Sequence, residues 1–296
     1  MRITTSGLNS ELITQLQQLA SQQNSLQNEV STGLSVSQPA DDPEAVSQVV
    51  ADQMQESSLI QAGLNASTAL ADSQTTSASL TQIKSIADSA SQVALADVGP
   101  TSMQADSIEV NQLLEQAVAA GNTTSGGNYI FAGTAVTTPP FTVTRDPVSG
   151  QITAVAYSGA TTSASVPLGD GSSVQPSTDP ATNANLATFM NQLLTLRNSL
   201  QAGDAPTVQA TAASLADSDD TIVNAISDQA AVQSRIQIVQ TQQQAQLTNL
   251  GQQVSTATSA NLPTVVINLN QASESYQALL DAASKFMNVS LLDYIH

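Results

Sequence analysis

Residues 262–286 read LPTVVINLNQASESYQALLDAASKF, and within them Leu262, Val265, Leu269, Ala272, Tyr276, Leu279, Ala283 and Phe286 fall at alternating steps of three and four. This apolar a/d repeat lasts more than three heptads, the mark of a helix that lies along another helix. At ~1.5 Å per residue it makes a rod of roughly 38 Å. A lone helix of this kind is marginal in water, and each large apolar side chain left wet forgoes about 1.5–3 kcal/mol. The segment needs a partner, either the protein's own core or another chain.

The opposite end of the chain carries a matching stripe. Leu12, Leu16, Leu19, Leu26 and Val30 share one helical face, with Gln23 filling one position of the repeat. The two ends of a 296-residue chain therefore read as halves of one helical element, with everything between them looped out. The fold class that follows is mainly α: a long antiparallel helical bundle or coiled coil of the N- and C-terminal regions, carrying a small β-rich insertion.

Composition narrows the function. Only 10% of residues are charged and 3% aromatic, with no Trp and no Cys. The 41% hydrophobic content leans on Ala, so cores should be thin helix–helix seams. Six basic residues against twenty-four acidic ones give a net charge of −18, which repels nucleic acid and anionic membrane alike. Without Cys there are no disulfides and no thiolate–metal sites. The opening Met1-Arg2-Ile3-Thr4-Thr5 starts no apolar run of signal-peptide length, and runs such as Val265-Val266-Ile267 are far too short to span a membrane.

In chain order, a first helix is expected from about Ser10 to Thr32, capped by Gly33. Asp42 followed by Pro43 reads as the N-cap and first residue of a long helix to about Ala96, with Glu44 in its first turn. Thr101-Ser102-Met103-Gln104 has the capping-box pattern and opens a helix ending at Gly121. Composition then shifts. Eight of the fourteen glycines, six of the eleven prolines and half of the eight aromatics fall between Gly121 and Ala184. Tyr129–Phe131, Phe141–Thr144 and Gln151–Tyr157 have strand character, with a turn at Asp146–Gly150. Helical period returns through Leu186, Phe189, Leu193, Leu196 and Leu200, stops at Gly203, and resumes near Pro206. Its register slips by one residue at Asn261, beside Pro263, where a break is expected.

No catalytic constellation emerges. The lone histidine is the last residue, His296, and no metal-ligand spacing exists. Gly121–Gly127 has the glycine spacing of a phosphate loop, but Gly127 stands where its lysine belongs. Asp217-Ser218-Asp219-Asp220 lacks the Gly and distal Glu of a calcium loop and reads as a solvated helix face. The chain nominates no catalytic residue, no metal and no cofactor.

Several short motifs nonetheless look familiar together. The Met1–Thr5 opening, Ser31-Thr32-Gly33 followed by Pro39-Ala40-Asp41-Asp42-Pro43, the run Gly127-Asn128-Tyr129-Ile130-Phe131-Ala132-Gly133, and the tail Ser290-Leu291-Leu292-Asp293-Tyr294-Ile295 resemble those of flagellin-related proteins. Proline after the paired aspartates is more similar to the flagellar hook-associated protein 3 family than to filament flagellin. The resemblance covers both ends and one internal landmark, and leaves the β insertion unmatched. The loop at Gly33-Leu34-Ser35 departs from relatives in having no basic residue nearby.

The resemblance implies a structural subunit at the junction of flagellar hook and filament, not an enzyme, exported by the flagellar type III route with a dedicated chaperone. Its partners would be hook-associated protein 1, flagellin, and further copies of itself in a ring. It also implies an inner tube domain of residues 1–40 and 258–296, a helical rod of 41–127 and 185–257, and an outer β-rich domain of 128–184. The assembly interface would comprise Leu12, Leu16, Leu19, Leu26, Val30, Leu262, Val265, Leu269, Tyr276, Leu279, Phe286, Leu291 and Leu292, open in the monomer and buried on assembly. Asp41, Asp42, Pro43, Tyr129, Phe131 and Gly133 carry the motifs. The rival readings are a filament flagellin and, in another class, a secreted coiled-coil adhesin whose insertion holds a ligand.

Overall fold

The computed structural model describes residues 5–96, 100–169 and 171–294. It is 73% helical. Helices α1 (Thr5–Thr32), α2 (Pro43–Leu95) and α3 (Pro100–Gly121) come first. Short strands β1 (Thr124–Ser125), β2 (Asn128–Tyr129), β3 (Phe141–Arg145), β4 (Ile152–Tyr157), β5 (Val166–Gly169) and β6 (Ser172–Val174) follow. Helices α4 (Pro180–Ala202), α5 (Ala205–Thr258) and α6 (Leu262–Tyr294) complete the chain. Among the described residues the strands form three separate antiparallel hairpins, β1–β2, β3–β4 and β5–β6. The fold is thus mainly helical, with small sheets confined to the middle of the sequence.

Local signals account for the element ends. Asp42 Oδ1 accepts from the Glu44 and Ala45 amides at 3.0 Å, so Asp42 caps α2 and Pro43 opens it. Asp179 caps α4 through the Thr182 amide at 2.6 Å, with Pro180 next in line, and Gly203 closes that helix in the left-handed region. The register slip becomes a real gap, since α5 stops at Thr258 and α6 restarts at Leu262.

The chain divides into two compact units, Ser58–Ala245 on the one hand and Met1–Ser57 with Gln246–His296 on the other. In Ser58–Ala245, α2 and α5 run antiparallel. Lys84 pairs with Asp219 at 3.1 Å, Ser73 donates to Gln229 at 2.7 Å, and Gln240 donates to Ser67 at 3.3 Å, so partner numbers rise on one helix as they fall on the other. Asp219, expected on a solvated face, is thereby tied to α2. The main core joins Leu80, Ile83 and Ile86 of α2 and Val110 and Leu114 of α3 to Phe189, Met190, Leu193 and Leu196 of α4 and Leu215 and Ile222 of α5.

The β3–β4 hairpin lies on this core through Phe141, Ile152 and Val155. Asn191 of α4 grips it with both ends of its amide, donating to the Val155 carbonyl at 2.8 Å and accepting from the Val155 amide at 3.2 Å. Arg197 is buried beneath it, donating to the Ile152 carbonyl at 2.8 Å and to Asn111 at 2.9 Å. Burial pushes its guanidinium below the ordinary value, opposed by the charge of Glu115. Glu115 itself is joined to Arg145 on β3, with one of the paired contacts at 2.7 Å.

The Tyr129–Gly133 motif departs from its expected strand. Pairing ends at Tyr129, and Ile130 to Ala132 enter a turn in which Ile130, Phe131 and Ala132 are all buried. Three consecutive buried residues do not suit a strand, which alternates faces. Phe131 meets Phe141 edge-on at 6.3 Å between centroids, and its carbonyl accepts from Asn183 at 3.0 Å and from the Tyr157 hydroxyl at 3.1 Å. Gly133 follows at φ +63°, where an added Cβ would fall 2.5 Å from the Thr162 carbonyl oxygen, so no other residue fits without backbone movement. The motif is a plug that seats the insertion on the helices.

Candidate assembly interface

In the terminal unit α1 packs along α6. Leu26 of α1 and Val265 and Ala272 of α6 form its buried cluster, with Leu269 and Ala260 at the margin. The predicted stripes therefore face one another instead of lying wholly open, because each is the nearest apolar surface available to the other. They do not cover one another. Leu12, Leu16, Leu19, Tyr276 and Leu279 remain half-buried, and Val30 and Leu262 are exposed at 36% and 42%. The side chains of Phe286, Leu291 and Leu292 lie outside the described residues, as do the Met1–Thr4 opening and His296.

A two-helix pair has one contact line, and a stripe wider than that line stays wet. Ile13, Val266, Ile267 and Leu280 extend the uncovered apolar surface, with Ile267 at 64% exposure. From the same unit, Leu34 in the loop after α1 and Val50 and Met54 on α2 add to it, Met54 at 70%. Among the described residues, nine of the sixteen large exposed hydrophobic side chains belong to this unit, against four of its residues in the buried apolar core.

The loop between α1 and α2 is fastened from both sides. The Gly33 amide donates to Glu29, and the Gly33 carbonyl accepts from the Ala260 amide at 2.9 Å. Leu34 bridges to Ser259, and the Ser35 amide donates to Thr258 at 2.8 Å. Asp41, next to the capping Asp42, has a separate task. Its Oδ2 accepts from the amides of Gln38 at 2.8 Å and Ser37 at 3.0 Å and from the Ser37 hydroxyl at 3.1 Å. The Gln38 and Ser37 amides hold this carboxyl below its ordinary range. The adjacent aspartates thus split the work, Asp41 closing the loop and Asp42 starting the helix. Nothing in local spacing marks that division.

One polar group here was not legible from sequence. Asp52 of α2 is 4% exposed, and while one oxygen accepts from Gln48 at 2.8 Å, the other has no partner among the described residues. Among the described residues no three His, Cys, Asp or Glu side chains gather to hold a metal ion, and no helix is long and apolar enough to cross a membrane.

No protein-family model matches the chain, and no curated protein does. Solved structures do. FlgL of Bacillus cereus superposes with a TM-score of 0.60 at 21% identity, over 69% of this chain and 99% of that one. The fold is that of the flagellar hook-associated proteins. A Vibrio parahaemolyticus structure named as a flagellar hook-associated protein gives 0.58 at 12% identity, over 74% of this chain and 99% of that one. FlgL of Xanthomonas campestris gives 0.58 at 14%, over 69% and 99%.

Proposed function

We propose that this chain is a structural subunit of the bacterial flagellum, seated where hook meets filament, and not an enzyme. The observation that carries the reading is the uncovered apolar surface of the terminal unit, described above on a hook-associated fold. A paired α1–α6 element that leaves its own stripe half wet gains free energy when neighbours cover it. Neighbouring copies in a ring would cover the flanks, with hook-associated protein 1 on the hook side and flagellin on the filament side.

In this reading residues 1–40 and 258–296 form the inner tube, 41–127 and 185–257 the rod, and 128–184 the outer part. The seam residues from Leu12 to Val30 and from Leu262 to Leu292 are the assembly interface. Export through the flagellar type III pathway with its chaperone would place the chain outside the cell. The test is deletion of Leu262–His296. The truncated chain is expected to stay folded and soluble through its central core while incorporation into flagella is lost. Normal incorporation without that segment would overturn the proposal, and long self-assembled filaments of the purified chain would favour a filament flagellin instead.

A further inference from the structure

The face of α2 that meets α5 around the middle of the helix pair is built from Ala62, Ala66, Ala69, Ser73 and Thr76, all small and all buried. Opposite them α5 places Gln229, Ile236 and Gln243, of which only Ile236 is a large apolar side chain. Around that face Leu70 of α2 and Val232 and Val239 of α5 are only partly buried. The rest of the buried bulk comes from β5–β6. Leu168 and Val174 are buried at 1% and 4% exposure against Ala66, Ala69 and Ile236, in a cluster separate from the main core.

The hairpin is tied to both helices at once. Asn65 of α2 donates to the Pro167 carbonyl at 3.2 Å, and Gln243 of α5 donates to the Leu168 carbonyl at 2.6 Å. Gly169 sits at φ +90°, where a Cβ would come 3.2 Å from that of Ala62, so the hairpin backbone rides close on the small residues of α2. Among the described residues β5–β6 pairs with no third strand, and an isolated two-stranded hairpin has little stability of its own. The closed arrangement also carries a penalty, because the Gln243 side-chain oxygen is buried with no partner among the described residues and would gain hydrogen bonds to solvent on opening.

We infer that β5–β6 is a strap that holds α2 to α5, and that it opens together with the helix segments beneath it while the main core stays closed. Opening exposes Leu168, Val174, Ile236 and a few alanines, and leaves Phe189, Leu193 and Leu196 untouched.

Hydrogen exchange of the backbone amides in the full chain tests this. Amides at 62–70, 166–174 and 232–243 are expected to share one exchange rate, faster than that of 186–200 by at least about tenfold. Leu168→Ala should speed that group by a further factor of about ten or more and change 186–200 by less than about twofold. If 62–70 and 232–243 exchange as slowly as 186–200, or if Leu168→Ala speeds all of them equally, the strap does not exist. Should that variant fail to fold, Val174→Ala removes less apolar bulk and carries the same comparison.

Discussion

In Ser58–Ala245, thirty-eight apolar residues are buried against seven large ones exposed. In the terminal unit four are buried against nine exposed, counting described residues in both. The two units use the same alphabet of Ala, Leu, Val and Ile on helices, so composition does not explain the contrast. The number of layers does. In Ser58–Ala245, α2, α3, α4, α5 and β3–β4 all contribute to one cluster. Among the described residues the α1–α6 pair buries one small cluster, Leu26 with Val265 and Ala272. One unit covers most of its large apolar side chains, and the other leaves most of its own exposed.

Substitutions should reproduce that asymmetry. Phe189→Ala, at a fully buried position where α4 meets the main core, should cost about 3–5 kcal/mol in denaturant unfolding. Next in size, Arg197→Leu strands the Ile152 carbonyl and Asn111, and should cost about 2–3 kcal/mol. In the terminal unit Leu26→Ala should cost only about 2 kcal/mol, the low end for a leucine, because the two-helix seam can close around the gap. A loss at Leu26 as large as at Phe189 would break the comparison.

The smaller effects sharpen it. Hydrogen bonding from Arg145 holds the Glu115 carboxyl below its ordinary value of 4.5, so the pair stabilises above that pH and loses its contribution as pH falls through the lower folded value. Both side chains are partly exposed, so Glu115→Gln should remove no more than about 1 kcal/mol, and the difference from the parent should vanish in acid. Smallest of all, Ile267→Ser should shift monomer unfolding by less than about 0.5 kcal/mol, since the side chain is already wet. Incorporation into flagella should nonetheless fall, and an unchanged incorporation would remove Ile267 from the interface.

Much of this was legible in sequence because period is a local property. The a/d steps at Leu262–Phe286, the cap at Asp42, and the register slip beside Pro263 each declare themselves within a few residues. Strand content at Phe141–Thr144 and Gln151–Tyr157 did so too, being alternating and bounded by a turn. What failed to show was set by contacts distant in sequence. The β5 and β6 strands hold only Val166, Leu168 and Val174 among Ser, Gly and Pro, too few for a pattern. Tyr129–Phe131 looked like a strand because its residues favour one, but only Tyr129 pairs, and tertiary burial of Ile130 and Phe131 overrode that preference. Arg197 and Asp52 each sit in helices where any polar residue is presumed wet, and only the neighbouring elements make them buried. Likewise the pairing of α1 with α6 was readable, while how little of the stripe one helix can cover was not.

The central claim is that the terminal helices are less secure in the lone chain than the middle, and limited proteolysis of the purified monomer tests it most directly. With only six Lys and Arg in the chain, a protease that cuts beside apolar residues is the proper probe. First cleavages are expected within 10–32 and 262–285, with a long-lived fragment containing residues 58–245. Cleavage in the middle as early as at the ends would contradict it.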